Sequence, residues 1–360
     1  MSKKVVSKEK FTAIDLFAGI GGMRLGFEKA HFDIVYSNDF DKNACKTYRE
    51  NFGEIDEKNI KDVDTDTIPD FDVLLGGFPC QPFSMIGKRK GMDDERAKSF
   101  FHIIRILGAK QPRAFVLENV KHLRLYNKGE VYERIKSNLE LMGYKVRAEV
   151  LDSKDYGVPQ HRQRLYIVGF LDHSIEFEFP KPHRKQVVLS EILEKEKVEE
   201  FYYLSNKYYK GLIKHRHRHE KNGNGFGFEI LDPSGISNTL VAGNMGRERN
   251  LIQDVPVEKN KWGVRRVTIK ECMRLQGFPE RYKFPVAMTQ AYKQLGNAVT
   301  VNVAKAVAEK VRKSLLVADT KKSEVTKKPS GFTPTTFDHP TTSQLHKTAI
   351  TQHTTILGNI

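Results

Sequence analysis

The sequence predicts an α/β protein in which a doubly wound, mainly parallel sheet is joined to a second, smaller irregular domain. In the first half of the chain, short apolar runs typical of buried strands alternate with helix-like segments. Residues 184–264 lack this alternation and contain many glycines, and a regular pattern returns near Arg265. Together these observations predict one sheet whose helices cover both faces, interrupted by a smaller inserted domain.

The first predicted strand, residues 12–17, ends at a glycine-rich turn from which a helix starts near Met23. Valines 299, 303, 307 and 311 recur every four residues and predict a late helix with one buried face. Ligands of such sheets bind beyond the carboxyl ends of the strands. The other predicted strands are 33–36, 72–75, 114–117, 146–151 and 165–171, and the other predicted helices are 99–108 and 132–142.

We predict a large domain formed by residues 11–183 and completed by 265–316. The smaller irregular domain spans 184–264, and a disordered tail spans 317–360. Residues 323–355 support the tail, because they hold 13 Ser/Thr among 33 residues and show no apolar period.

The composition favours a polyanionic partner. Lys and Arg total 60 against 45 Asp and Glu, which gives a net charge of +15. A merely basic, solvated surface is the alternative. The chain shows neither the ~20-residue apolar run of a membrane helix nor an apolar leader. Cys45, Cys80 and Cys272 have spacings that suit neither disulfides nor a zinc site, so we expect a reducing cytoplasm.

A basic stretch, residues 207–221, holds six Lys/Arg and one Glu. His215, His217 and His219 alternate with other residues in it, but no paired Cys or carboxylate ligands accompany them. We therefore predict no metal and interpret the stretch as a basic loop that faces the polyanionic partner.

The glycine turn Gly19-Ile20-Gly21-Gly22 permits close approach of a ligand to a helix N-terminus. This signal is shared by dehydrogenases, methyltransferases and turns without ligands. Its GxGG spacing differs from the GxGxxG of dinucleotide folds. About twenty residues later, Asp39 could accept hydrogen bonds from ribose hydroxyls and Phe40 could cover an adenine, although Asp39 could equally cap a helix. The two motifs indicate a nucleoside cofactor without identifying it.

Cys80 follows a predicted strand and lies at the carboxyl edge of the sheet, where an activated thiolate could act as a nucleophile. An inert buried thiol is the alternative. Glu118 ends another strand at this edge, where desolvation would raise its pKa, unless it is a helix cap or a surface acid. Arg162 and Arg164 alternate into a third strand, which suits two anionic or carbonyl contacts, unless they line a solvated strand edge. A thiol, a carboxyl and an arginine pair at one edge favour a catalytic site.

These residues resemble the cytosine-C5 DNA methyltransferase family of bacterial restriction–modification systems. The resemblance covers roughly residues 11–312 in family order. DLFAGIGG is similar to the family's first cofactor motif, GGFPCQPFS to its catalytic motif, LENV to its acid motif and QHRQR to its arginine motif. Residues 265–279 resemble the ninth motif, and residues 294–299 resemble the tenth.

The resemblance implies methyl transfer from S-adenosylmethionine to C5 of a cytosine in a specific duplex DNA sequence. Cys80 would attack C6 of a flipped base, Glu118 would hold N3, and Arg164, paired with Arg162, would face O2. The chain would then have the methyltransferase fold, with residues 184–264 as its target-recognition domain. The implied cofactor residues are Phe17, Gly19, Gly21, Asp39, Phe40, Asn59, Ile60, Pro79 and Asn297, and the implied DNA contacts are Gln81, Ser84, Arg96, Phe226, Thr239 and Leu240.

Three positions depart from the family pattern. Asn59 replaces a common acidic residue, Ser99 replaces an apolar cofactor neighbour, and Asp39 is one methylene shorter than the usual Glu. We expect a cytoplasmic monomer that serves as a modification enzyme, with any cognate restriction endonuclease acting separately. A tRNA cytosine methyltransferase, a non-catalytic DNA-binding regulator and an NAD-dependent oxidoreductase are the rival interpretations.

Overall fold

The computed structural model describes residues 10–78, 95–183, 186–223, 227–243 and 248–326. Their main feature is a six-stranded sheet in the order β2-β1-β3-β4-β6-β5. Strands β1 to β4 pair in parallel, while β6 runs antiparallel between β4 and β5. The strands are β1 (Phe11–Leu16), β2 (Phe32–Asn38), β3 (Val73–Gly77), β4 (Ala114–Val120), β5 (Lys145–Asp152) and β6 (Gln163–Phe170). The predicted mainly parallel sheet is confirmed, and each predicted strand lies within or overlaps an observed one.

Helices cover both faces of this sheet. The helices of the described residues are α1 (Gly22–Lys29), α2 (Lys42–Phe52), α3 (Glu95–Lys110), α4 (Glu130–Leu141), α5 (Asn206–Lys221), α6 (Ile269–Gln276), α7 (Met288–Asn297) and α8 (Val301–Thr326). Alternate residues of β1 point to opposite faces: Ala13 packs in one core with α1 and α8, and Ile14 packs in another with α3 and α4. The doubly wound architecture is therefore confirmed.

Helix α8 is longer than predicted. It begins at Val301, so Val299 lies just before it, and it continues to Thr326. The predicted start of a disordered tail at residue 317 is therefore wrong for 317–326. The buried face of α8 continues past Val311 through Leu315 and Ala318 at helical spacing, which favours helix beyond residue 316. One compact unit ends at Asp319 and a second begins at Thr320, of which residues 320–326 are described.

The basic stretch 207–221 is a helix, which corrects its interpretation as a loop. The Ser205 hydroxyl caps α5 by accepting a hydrogen bond from the Tyr208 backbone N–H. Only Tyr209 and Leu212 of this helix are buried. This narrow apolar face explains why the sequence pattern was weak. The helix packs against the antiparallel pair β7 (Leu251–Gln253) and β8 (Val264–Arg266), and the domain limits at 184 and 264 remain a prediction.

Among the described helices, none is both apolar enough and long enough to cross a membrane.

Candidate active site

A cavity of about 670 Å³ opens beyond the carboxyl ends of β1, β3 and β4. This is the edge at which parallel sheets bind their ligands. The cavity brings together residues predicted to bind the cofactor and residues predicted to act on the base. Those that line it are Phe17, Gly19, Asp39, Phe40, Asn59, Ile60, Glu118, Arg162, Arg164 and Asn297.

The glycine turn after β1 forms one wall of the cavity. Gly19 and Gly21 have φ angles of 56° and 76°, in the left-handed region that glycine adopts without strain. Gly21 lies immediately before α1, so the turn leads directly into the helix N-terminus. Phe17 also has a positive φ of 55°, which is unusual for a residue with a side chain. Such strain is concentrated at ligand sites.

Asp39 is fixed by two backbone donors. Its Oδ2 accepts from the Gly19 N–H and its Oδ1 from the Asp41 N–H, both at 2.8 Å. Burial raises the pKa of Asp39, and these two hydrogen bonds oppose the rise. The alternative role of Asp39 as a helix cap is wrong, because Asp41 caps α2. Phe40, whose side chain is 64% exposed, lies beside Asp39 at the cavity.

Asn59, Ile60 and Ser99 form another part of the wall. The Asn59 Oδ1 accepts from the Lys61 N–H at 3.2 Å, so this oxygen already has a partner inside the protein. Ile60 is buried, and its carbonyl accepts from Arg105 Nη2 at 2.9 Å. Ser99, which replaces an apolar residue of the family pattern, is buried and lies on the cavity wall.

Asp15, the first residue of the DLFAGIGG motif, is a cavity residue that the sequence reasoning missed. Its carboxyl group is 1% exposed, and Oδ2 has no hydrogen-bond partner among the described residues. Burial raises its pKa to about 7, against the opposing charge of Arg24. A buried acceptor left open at a cavity wall suits a donor group of a ligand. The signal in the sequence was an acidic residue inside an otherwise apolar strand.

Glu118 and Arg164 form the acid–base part of the site. Glu118 lies near the end of β4, opposite β6, and Arg164 Nε is 3.2 Å from its Oε1. Burial raises the pKa of Glu118, while the charges of Arg164 and Arg162 oppose the rise. Glu118 is therefore neither a helix cap nor a surface acid. The next residue, Asn119, donates from Nδ2 to the Phe78 carbonyl at 3.0 Å, two residues before Cys80.

Arg162 contacts carbonyls, as its residue type predicted, but the three carbonyls belong to the protein itself. Nη1 donates to Leu240 at 2.8 Å, and Nη2 donates to Gly296 at 3.1 Å and Ala298 at 2.8 Å. Arg162 immediately precedes β6, which begins at Gln163, and Arg162 and Arg164 both line the cavity. Burial, followed by the charge of Arg164, lowers the pKa of Arg162 to about 9.

Thr239 and Leu240 are joined to the arginine motif. The Thr239 hydroxyl donates to the His161 carbonyl at 2.6 Å, and the Leu240 N–H donates to Gln160 Oε1 at 2.9 Å. The Leu240 side chain is buried in a hydrophobic cluster with residues of α6 and α7. A direct contact between this side chain and DNA therefore disagrees with the structure, in which Leu240 packs inward.

Several predicted residues lie outside the described part of the chain: Pro79, Cys80, Gln81, Ser84 and Phe226. Arg96 lies in α3. Within the described ranges, no group of three or more His, Cys, Asp or Glu residues could hold a metal ion.

Comparison with known proteins identifies the family. The C-5 cytosine-specific DNA methylase family matches residues 11–313, and the chain belongs to it. The protein is therefore a DNA cytosine-5 methyltransferase, as the motifs predicted. It is 43% identical to the Type II methyltransferase M.HpaII of Haemophilus parainfluenzae, over 86% of this chain and 91% of that protein. It is 41% identical to the Type II methyltransferase M.NlaX of Neisseria lactamica, over 87% and 99%.

Solved structures share the fold. The Entamoeba histolytica methyltransferase EhMeth superposes with a TM-score of 0.70 at 24% identity. The superposition covers 86% of this chain and 99% of the EhMeth chain. The S. pombe Dnmt2 methyltransferase has a TM-score of 0.69 at 22% identity, with the same coverage. At these identities the likeness concerns the fold alone.

Proposed function

We propose that the protein methylates C5 of one cytosine within a specific duplex DNA sequence, as the modification enzyme of a restriction–modification system. S-adenosylmethionine is the proposed methyl donor. The observation that carries the proposal is one cavity with two chemically different walls. Asp15, Asp39 and Phe40 suit a nucleoside that carries an amino acid, and the buried Glu118–Arg164 pair suits a polar base.

The cofactor wall fits S-adenosylmethionine group by group. Asp39, oriented by its two backbone donors, would accept from the ribose hydroxyls. Phe40 would cover the adenine, and the open Oδ2 of Asp15 would accept from the ammonium of the methionine part. The remaining contacts would come from Phe17, Gly19, Gly21, Asn59, Ile60, Pro79 and Asn297. When bound, S-adenosylmethionine supplies an electrophilic methyl group on a sulfonium.

Glu118 and Arg164 would activate the base. A carboxyl group with a raised pKa can hold a proton at N3 of cytosine, and the Arg164 guanidinium would stabilise charge that develops on O2. The Cys80 thiolate would attack C6, which makes C5 nucleophilic. Once C5 carries the methyl group, transfer of the C5 proton to a base would break the C6–S bond, restore the aromatic ring and release the Cys80 thiolate. Because a stacked base cannot be reached in this way, the cytosine must be flipped into the cavity.

DNA would contact the chain at several separate places. Helix α5 carries six Lys/Arg residues, and its cationic side chains suit phosphates. Gln81, Ser84 and Arg96 would contact the strand near the flipped base, and Phe226 would approach the vacated stack. The segment that contains Thr239 and Leu240 would be held against the arginine motif by its hydrogen bonds to His161 and Gln160.

The test is expression in a methylation-deficient bacterial host, followed by bisulfite mapping of its DNA. We expect 5-methylcytosine at one sequence context in cells with the wild-type protein, much less with Glu118→Gln and none with Cys80→Ser. The purified protein should methylate duplex DNA and leave tRNA unmodified. New methylation that persists in Cys80→Ser, or methylation of tRNA alone, would contradict the proposal.

We further propose that the enzyme acts in the cytoplasm as a monomer, with a cognate restriction endonuclease as a separate protein. The purified chain alone should then elute at the mass of one copy and methylate DNA without cutting it. A dimeric active species, or cleavage by the purified chain, would contradict this part.

A further inference from the structure

Arg162 joins two segments that lie far apart in sequence. One is the pair Thr239-Leu240, for which a role at the DNA is proposed, and the other is Gly296-Asn297-Ala298, which includes a proposed cofactor residue. The guanidinium donates to the carbonyls of Leu240, Gly296 and Ala298 and is 2% exposed. Asn297 therefore lies between two carbonyls that are held by one buried side chain.

The two segments also touch through their backbones. A Cβ atom added at Gly296 would lie 2.4 Å from both the Val241 carbonyl carbon and the Ala242 nitrogen. Real Cβ atoms do not approach backbone atoms so closely, so only glycine allows this contact. This evidence is independent of the arginine, because it concerns backbone spacing.

Further buried hydrogen bonds fix both sides of this junction. The Gln160 side chain accepts from the Leu240 N–H and donates to the Leu275 carbonyl at 2.8 Å. Gln276 Nε2 donates to the Leu295 carbonyl at 2.7 Å, next to Gly296. Moving either segment alone would leave buried carbonyls or donors unpaired, which is costly, so the two segments should move together.

We propose that Arg162 is a positioning residue that couples cofactor binding to DNA binding. DNA that engages the Thr239-Leu240 segment would fix Gly296–Ala298 through the guanidinium, and so pre-form the cofactor contact at Asn297. By reciprocity, bound cofactor would tighten DNA binding by the same factor. This inference rests on the proposed function, because it assumes the two ligands named there.

The test measures binding of S-adenosylhomocysteine by calorimetry, with and without a duplex that carries the sequence found by bisulfite mapping. For the wild-type protein we expect the duplex to tighten binding roughly tenfold. Arg162→Lys replaces the planar guanidinium by a single ammonium or amine group that cannot span three carbonyls, so the tightening should fall below about twofold. Gly296→Ala, which pushes the segments apart from the other side, should have the same effect. In both variants, the affinity for S-adenosylhomocysteine without the duplex should change much less than the tightening that the duplex causes.

Arg274→Lys is the matched control. Arg274 also donates to a backbone carbonyl, that of Ile192 at 2.9 Å, but it does not contact either segment through any of its hydrogen bonds. This variant should keep the tenfold effect. Thermal unfolding of each variant shows whether it has folded, and Gly296→Ala decides the matter if Arg162→Lys does not fold.

Two results would overturn the inference: a wild-type protein whose affinity is unchanged by the duplex, or an Arg162→Lys protein that retains the full tightening. Both are distinct from failure of the proposed function. If the proposed function itself were wrong, the wild-type protein would neither bind S-adenosylhomocysteine nor methylate DNA.

Discussion

Replacing Asp15 by Asn should stabilise the ligand-free protein, and more strongly at high pH than at low pH. Burial raises the pKa of this carboxyl group from 3.8 to about 7. In the unfolded chain the group ionises near its ordinary pKa, so folding favours the protonated form. The free energy of unfolding is therefore not reduced by Asp15 below about pH 3.8. It falls as the pH rises above this value, until the folded carboxyl group has ionised near pH 7.

The size of the effect follows from the shift. At about pH 8 this pKa difference destabilises the folded protein by about 4 kcal/mol, relative to a protein whose side chain at position 15 does not titrate. At about pH 5 the same cost is roughly 2 kcal/mol, because the folded carboxyl is then still protonated. The advantage of Asp15→Asn over wild type should therefore grow by about 2–3 kcal/mol across this range.

Urea unfolding of both proteins at several pH values between about 5 and 8 measures this difference. Asp41→Asn is the control. Its carboxylate accepts hydrogen bonds from the Asn43 and Ala44 N–H groups, and its pKa is lowered. That variant should be less stable than wild type by an amount that is constant in this range, since Asp41 is ionised throughout. A pH-independent difference for Asp15→Asn would refute the burial argument.

Three other predictions concern the acid, a helix cap and helix α8. Glu118→Gln should lower kcat by roughly 10²- to 10⁴-fold with little change in cofactor affinity, and single-turnover methylation with parallel calorimetry would show it; an unchanged rate would exclude the acid role. Ser205→Ala removes the cap of α5 and should cost about 1 kcal/mol in urea unfolding, with weaker DNA binding in a shift assay; unchanged stability would show that the cap is dispensable. Leu315→Ala should destabilise by about 2–5 kcal/mol in the same unfolding assay, because this side chain is fully buried; an unchanged unfolding midpoint would contradict its burial.

The sheet and the location of the site could be predicted because their signals are local. Most strands contain a short apolar run, and Phe17, Asp39 and Glu118 each follow a strand or lie near the end of one. Parallel strands bring such residues to one edge whatever the details of packing. The order of the motifs along the chain was therefore enough to assemble most of the cavity.

The role of Arg162 could not be predicted, because its partners are distant in sequence. Leu240, Gly296 and Ala298 lie 78, 134 and 136 residues away, and the bonds go to backbone carbonyls, which leave no trace in the sequence. Helix α5 was missed for a different reason. Most of its residues face solvent, so the apolar period that indicates a helix is nearly absent.

The second glycine of the GGFPCQPFS motif lies beside Glu118 in the sheet. Gly77 is the last residue of β3, paired with Glu118 of β4, and a Cβ atom at Gly77 would lie 3.7 Å from Glu118 Oε2. Arg164 is paired with the other oxygen, Oε1. Oε2 therefore faces Gly77, which stands three residues before Cys80 in the sequence.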